Sequence, residues 1–186
     1  MIRLLGISGS LRAGSFNTAL LRNAAELMPA GVSLEIRTLH GIPLYNADEE
    51  AANGPPDAVI DLKEAIASAD GVILATPEYN NGIPGVFKNA IDWASRPPGD
   101  IARVFGGRHF AILGASPGGF GTVLAQNHWL PVLRTLGVNL WTGGRMLVSR
   151  ASGVFDENGA IGDPAVRNQL ETFLAGYTSF IRQKDN

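Results

Sequence analysis

The stretch that decides the fold is Ile2-Arg3-Leu4-Leu5-Gly6-Ile7-Ser8-Gly9-Ser10-Leu11-Arg12-Ala13-Gly14-Ser15-Phe16-Asn17. Its first six residues form a short apolar run, which reads as a buried strand. The run ends in small and polar residues. From Asn17 the apolar positions Leu20, Leu21, Ala24, Leu27 and Met28 recur at helical spacing. A strand, a polar loop with glycines and a helix, in that order, open a βαβ unit.

The same alternation continues outward. Residues 33–39 alternate like a strand, and residues 40–56 are polar and carry Pro and Gly, as a loop does. Residues 57–68 read as a helix with Asp57 as N-cap. Residues 71–75 are a second buried run. Residues 84–93 are a helix opening on Pro84, and residues 96–107 a further loop. A strand at 109–115 precedes a helix at 122–136 that bends at Pro131. Residues 139–148 are strand-like but broken at Gly143-Gly144. The last helix spans 163–181, with Asp163 capping and Pro164 at its first position. Five strands alternating with five helices predict an α/β three-layer sandwich. The expected sheet is parallel and flavodoxin-like, order 2-1-3-4-5, with helices on both faces. A single domain over residues 1–186 is expected, since each right-handed crossover uses roughly 30 residues.

Composition narrows the chemistry. The chain has no cysteine, which removes thiol catalysis, disulfides and Cys-ligated metals. His40, His109 and His128 are its histidines, and no two stand at helical metal-ligand spacing. The net charge is −2 with no Lys/Arg cluster, so neither nucleic acid nor an anionic membrane is expected as partner. No apolar run reaches the roughly 18–20 residues of a membrane span. The N-terminus leads straight into a strand-like run rather than a signal peptide, so a cytoplasmic location is expected. Only 17% of residues are charged, which leaves room for a surface hidden in an oligomer.

Three loops rich in Gly, Pro, Ser and Asn follow three of the strands: residues 8–16, 76–83 and 116–121. In the order 2-1-3-4-5 those strands are neighbours. Their loops then meet at the switch point of the sheet, where such folds bind ligands. The first loop suits an anion. Ser10, Ser15 and Asn17 supply neutral donors, Arg12 a charged fork, and the helix its unpaired N–H groups. Simple helix capping by Ser15 or Asn17, with Arg12 in solvent, would use some of these residues. Capping does not call for four polar side chains and two glycines together.

Known phosphate motifs can be compared directly. Gly9 and Gly14 have Walker spacing, but Ser15 and Phe16 stand where Lys and Ser/Thr belong. The dinucleotide fingerprint fails as well, because Ser8 and Leu11 follow Gly6 where glycines are needed. A Ser-rich monophosphate cradle remains. In the second loop, Pro77 and Tyr79 offer flat apolar surface to a planar ring, and its backbone offers N–H groups. Glu78 is expected to orient this loop or bridge subunits rather than meet an electron-rich ring. The third loop, Ser116-Pro117-Gly118-Gly119-Phe120-Gly121, would lie against a ring edge. It also contains G-x-S-x-G at Gly114, Ser116 and Gly118, the hydrolase nucleophile elbow. Pro117 lacks the N–H an oxyanion hole needs there, and no acid lies between Ser116 and His128, so the triad order fails.

Elsewhere the signals are plainer. His128, beside Trp129, is expected to be buried or at an interface. Trp93 is expected in the core, Trp141 in the core or an interface, and Asp92 as a solvated or capping acid. Tyr45, Asn46 and Asp48 lie in the long loop after the second strand, where they could cover a site or reach a partner.

Together these residues resemble the NADPH-dependent FMN reductase family of flavodoxin-like proteins, which includes quinone, azo-dye and chromate reductases. The resemblance rests on Gly9 through Asn17, on Pro77-Glu78-Tyr79-Asn80 continuing through Pro84-Gly85-Val86-Phe87-Lys88-Asn89-Ala90-Ile91-Asp92-Trp93, and on residues 116–122. Gln126 and His128 fit it too. It implies that Ser10, Arg12, Ser15, Phe16 and Asn17 bind the FMN phosphate. Pro77, Glu78, Tyr79 and Asn80 would line the isoalloxazine, and Ser116, Gly118 and Gly119 its other edge. NADPH or NADH would be the co-substrate, and a small molecule such as a quinone, free flavin, an azo compound or chromate the acceptor. The flavin then carries the chemistry, with no catalytic side chain. A homodimer or homotetramer is implied. Relatives that form tetramers carry Arg and Tyr where this chain has Leu124 and Asn127, which leaves a dimer open. A non-enzymatic flavodoxin-like FMN carrier is the alternative, although such carriers are usually strongly acidic.

Overall fold

The computed structural model describes residues 1–183. Its strands are β1 (Ile2–Ser8), β2 (Val32–Arg37), β3 (Gly71–Ala75), β4 (His109–Ala115), β5 (Asn139–Leu140) and β6 (Met146–Val148). Its helices are α1 (Phe16–Glu26), α2 (Ala47–Asn53), α3 (Asp57–Ser68), α4 (Gly85–Ala94), α5 (Ile101–Val104), α6 (Val123–Thr135) and α7 (Pro164–Arg182). The pairing is parallel throughout, in the order β2-β1-β3-β4-β5, with β6 also on β4. This is the flavodoxin-like order expected from the alternation.

The period of two along each strand builds the layers. Leu5, Ile7, Val72, Leu74, Phe110 and Ile112 face one side, where they pack with Leu62 and Ile66 of α3, Phe87 and Ile91 of α4, and Trp129 and Leu133 of α6. Leu4, Ile73, Ala75, Ala111 and Leu113 face the other side. There they meet Leu20, Leu21 and Ala24 of α1, and Leu170, Leu174 and Tyr177 of α7. The central strands are covered on both faces, which is why they read as unbroken apolar runs.

The fifth strand position is divided. β5 pairs with His109 and Phe110, and β6 with Leu113 through Ala115. Between them the chain leaves the ladder to seat the Trp141 indole, 4.9 Å edge-on from Phe173. A Cβ at Gly143, Gly144 or Gly176 would come within 2.6, 2.7 and 2.8 Å of that indole. The glycine pair that breaks the strand pattern is thus the floor of a tryptophan seat, and Trp141 packs against the core.

Five expectations need correction. The sheet has six strands rather than five among the described residues, because the fifth position is divided into β5 and β6. Among those residues the helices number seven rather than five, because α2 and α5 lie inside segments read as loops. The N-cap of α3 is Pro56, and Asp57 is its first helical residue with no side-chain capping bond. Pro84 is the N-cap of α4 rather than a residue of its first turn. His128 is exposed on the surface of the chain, which sets aside the buried alternative given for it. The last helix starts as expected, with Asp163 accepting from the Ala165 N–H and Pro164 at the first position.

Candidate functional site

The three loops leave the C-terminal ends of β1, β3 and β4, which are adjacent, and they are stitched to one another. The Gly9 N–H donates to Ala75 O at 2.9 Å, and the Thr76 N–H to Leu113 O at 2.9 Å. Gly9 lies so close to the second loop that a Cβ would stand 2.1 Å from Phe87 Cδ1 and 2.9 Å from Pro77 Cδ. Gly114 is equally tight, with its hypothetical Cβ 2.0 Å from Thr122 Oγ1 and 2.4 Å from Thr76 O. These positions admit only glycine, and they bring the loops together at the switch point between β1 and β3.

In the first loop the hydroxyls of Ser10 and Ser15 are buried, while residues 11–14 are exposed. Ser15 caps α1, accepting from the Thr18 N–H at 3.3 Å. The N–H groups of Phe16 and Asn17, at the first two helical positions, have no acceptor within the helix and form the positive end of its dipole. The Arg12 guanidinium lies over Gly14, about 4 Å from where a Cβ would be. Ser8 and Thr18 share a buried hydroxyl bond of 2.8 Å that pins β1 to α1. Asn17 is placed differently from a free donor. Its Nδ2 donates to Ala115 O and its Oδ1 accepts from the Ala115 N–H, both at 2.9 Å. The side chain ties α1 to the end of β4, and the backbone N–H is what it presents to the loop. The Phe16 ring stacks on Phe155 at 5.7 Å, so it too presents its backbone.

The second loop turns at Asn80 and Asn81, both left-handed with φ of 49° and 64°. Asn tolerates that conformation, and Tyr79 and Gly82 close the turn with reciprocal backbone bonds of 3.2 and 3.0 Å. Tyr79 is 51% exposed. The Glu78 carboxylate points at α6, where one oxygen accepts the Leu124 and Ala125 N–H groups at 2.9 Å each. It orients the loop by capping a helix. His128 lies across from the turn, its Nδ1 3.9 Å from where a Cβ on Gly82 would be.

The third loop is anchored through its backbone. Ser116 donates to Val148 O and accepts from the Ala151 N–H, and Gly118 O accepts from the Arg150 N–H. Gly119 has no heavy atom within 4 Å of its would-be Cβ, and Phe120 is 81% exposed. The three loops therefore form an open edge. It has hydroxyls, a guanidinium and helix N–H groups at one end, and flat apolar surface with bare backbone at the other. That donor set fits a phosphorylated, planar cofactor: the anion end combines hydroxyls, a guanidinium and helix N–H groups, and the space beside Gly119 is open.

Sequence reasoning gave no role to His40. Its Nε2 donates to Leu11 O at 3.1 Å and its Nδ1 meets Thr38 Oγ1 at 3.0 Å. No local pattern flags such a residue, because its partner is 29 positions away. The long segment after β2 is fastened elsewhere. Tyr45 packs edge-on to Trp93 at 4.9 Å and donates to Glu50, and Glu50 accepts from Arg96 at 3.0 Å. The hydrogen bond to Glu50, together with burial, raises the Tyr45 phenol above its usual range. Asn46 caps α2 by accepting from the Asp48 N–H. Asp92 is paired with Lys88 at 2.7 Å. Among the described residues no cluster of three His, Asp or Glu could hold a metal, and no helix is long and apolar enough to cross a membrane.

Comparison with known proteins agrees with this geometry. The family model for NADPH-dependent FMN reductase matches residues 2–153. The NAD(P)H-dependent FMN reductase of Pseudomonas aeruginosa is 45% identical over 182 residues, 98% of this chain and 96% of that protein. A 2-hydroxy-1,4-benzoquinone reductase of a Burkholderia species is 38% identical over 98% of each chain. The solved structure of FerB, a flavoenzyme NAD(P)H:(acceptor) oxidoreductase of Paracoccus denitrificans, superposes with a TM-score of 0.86 at 31% identity over 98% of each chain. A match of this extent, on a flavodoxin-like sheet whose edge fits a phosphorylated planar cofactor, places the chain in the NADPH-dependent FMN reductase family, as an FMN- and NAD(P)H-dependent oxidoreductase.

Proposed function

We propose that the chain reduces quinones with NAD(P)H, and that FMN lies along the joined loops at the β1–β3 switch point. In this reading Arg12, Ser10, Ser15 and the N–H groups of Phe16 and Asn17 hold the phosphate. Pro77, Tyr79 and Asn80 line the isoalloxazine, Glu78 fixes their loop, and Ser116, Gly118 and Gly119 border the other edge. The observation that carries the reading is the contact of Gly9 with Pro77 and Phe87, which sets the anion loop directly against the ring loop. The benzoquinone reductase relative supports quinones as the acceptor class; free flavin, azo compounds and chromate are the further acceptors to screen. A cytoplasmic homodimer or homotetramer accords with the low charge and with exposed Phe120, Leu124 and Leu130.

Bound FMN supplies hydride transfer from NAD(P)H to the acceptor. The chain's part is to place the ring, to offer backbone donors to its polar edge, and to leave one open approach. Nicotinamide and acceptor then use the same space in turn. Initial rates with NADPH and a benzoquinone varied together should give parallel double-reciprocal lines. Intersecting lines would contradict a shared space.

A further inference from the structure

Residues 11–14 are the least supported part of the anion loop. All four are exposed. Within the loop, Ser10 Oγ accepts from the Arg12 N–H at 3.2 Å. Among the described residues, one side chain from outside is hydrogen-bonded to this segment: His40, through Leu11 O at 3.1 Å. A carbonyl only accepts, so Nε2 carries the proton. At the other end, Thr38 Oγ1 lies 3.0 Å from Nδ1. Its hydroxyl can donate to a neutral ring or accept from a protonated one. The bridge therefore holds in both charge states of the imidazole.

The geometry points to His40 as a positioning residue for the FMN phosphate. It holds Leu11 in place, and with it the turn that carries Arg12, before the ligand arrives. This rests on the reading that the phosphate occupies this loop. Binding to a loose loop must pay for fixing its backbone, and a loop already tethered pays less. Because His40 acts on the phosphate loop alone, its removal should weaken FMN without weakening riboflavin, which has the same ring and no phosphate. An effect through general loss of stability would not distinguish the two.

The test is fluorescence titration of the full chain, freed of flavin, with FMN and with riboflavin. Wild type is compared with His40→Ala, His40→Gln and Thr38→Val. His40→Ala should raise the Kd for FMN about five- to tenfold and leave that for riboflavin unchanged. His40→Gln can donate to Leu11 and accept from Thr38, and should restore FMN binding to within about twofold. Thr38→Val removes only the far end of the bridge and should fall between. All these positions are exposed, so folding should be kept, as a thermal melt would verify. Unchanged FMN affinity in His40→Ala, or equal weakening of FMN and riboflavin, would overturn the role. Failure of the wild type to bind FMN would overturn the functional reading and this role with it; normal wild-type binding with an unaffected His40→Ala overturns this role alone.

Discussion

Asn17 gives both ends of its side-chain amide to Ala115, and Phe16 gives its ring to Phe155. Both were legible in the sequence as members of the loop, but a polar residue in a loop does not announce which neighbour its side chain satisfies. Here a β4 backbone pair at the sheet edge takes it, because buried backbone groups demand partners. Arg12 is the opposite case. It is exposed, has no ion-pair partner among the described residues, and leaves a guanidinium for an incoming anion. Arg12→Ala should weaken FMN binding by about 1.5–3 kcal/mol, the scale of a charge-assisted hydrogen bond. That is roughly one to two orders of magnitude in Kd. Unchanged FMN titration would remove Arg12 from the phosphate site.

At the scale of elements, Glu78 decides how the second loop is held. Its carboxylate caps α6, and α6 begins where the third loop ends, so one side chain fastens the second loop to the exit of the third. Glu78→Ala should cost about 1–2 kcal/mol of unfolding free energy, as lost caps do. Glu78→Gln keeps an acceptor and should cost under about 1 kcal/mol, the share due to charge at a helix N-terminus. Urea denaturation of the two variants would check the order, and equal losses would contradict the capping role. A second fastening lies between α3 and α5. Asp100 meets Lys63 at 2.7 Å and Arg103 at 2.6 Å, and these hydrogen bonds hold its carboxyl well below the usual carboxylate range. A depressed folded pKa contributes stability above the unfolded pKa and loses it as pH falls through the folded value. Asp100→Asn should therefore melt below wild type at neutral pH. The gap should close only under acid conditions below the ordinary Asp range, about pH 4. A gap independent of pH would contradict this. These same features explain what the sequence left hidden. α2 (Ala47–Asn53) has no buried residue and so no apolar stripe to read; it is held by the Asn46 cap and the Tyr45–Glu50–Arg96 contacts. α5 (Ile101–Val104) is too short for periodicity to appear.

Across the whole molecule, the sheet order was legible because every central strand is buried on both faces and every crossover is a helix. The interruption at Gly143-Gly144 was visible too. Its cause, an indole from Trp141 lying over three glycines, depends on Gly176 in a distant helix and could not be read locally. The convergence of the three loops follows from the order, since β1, β3 and β4 are neighbours whose C-terminal ends share one edge. What the order alone does not supply is the fit, where Gly9 and Gly114 let the loops touch. On the proposed function, this edge holds a flavin that NAD(P)H can reach. The most direct test is to load the purified chain with FMN, exclude oxygen, add NADPH, and follow the yellow absorbance. Bleaching within seconds is expected, with return of the colour when a benzoquinone is added. A protein that stays yellow would be a carrier rather than a reductase, and one that takes up no FMN would contradict flavin binding at this edge altogether.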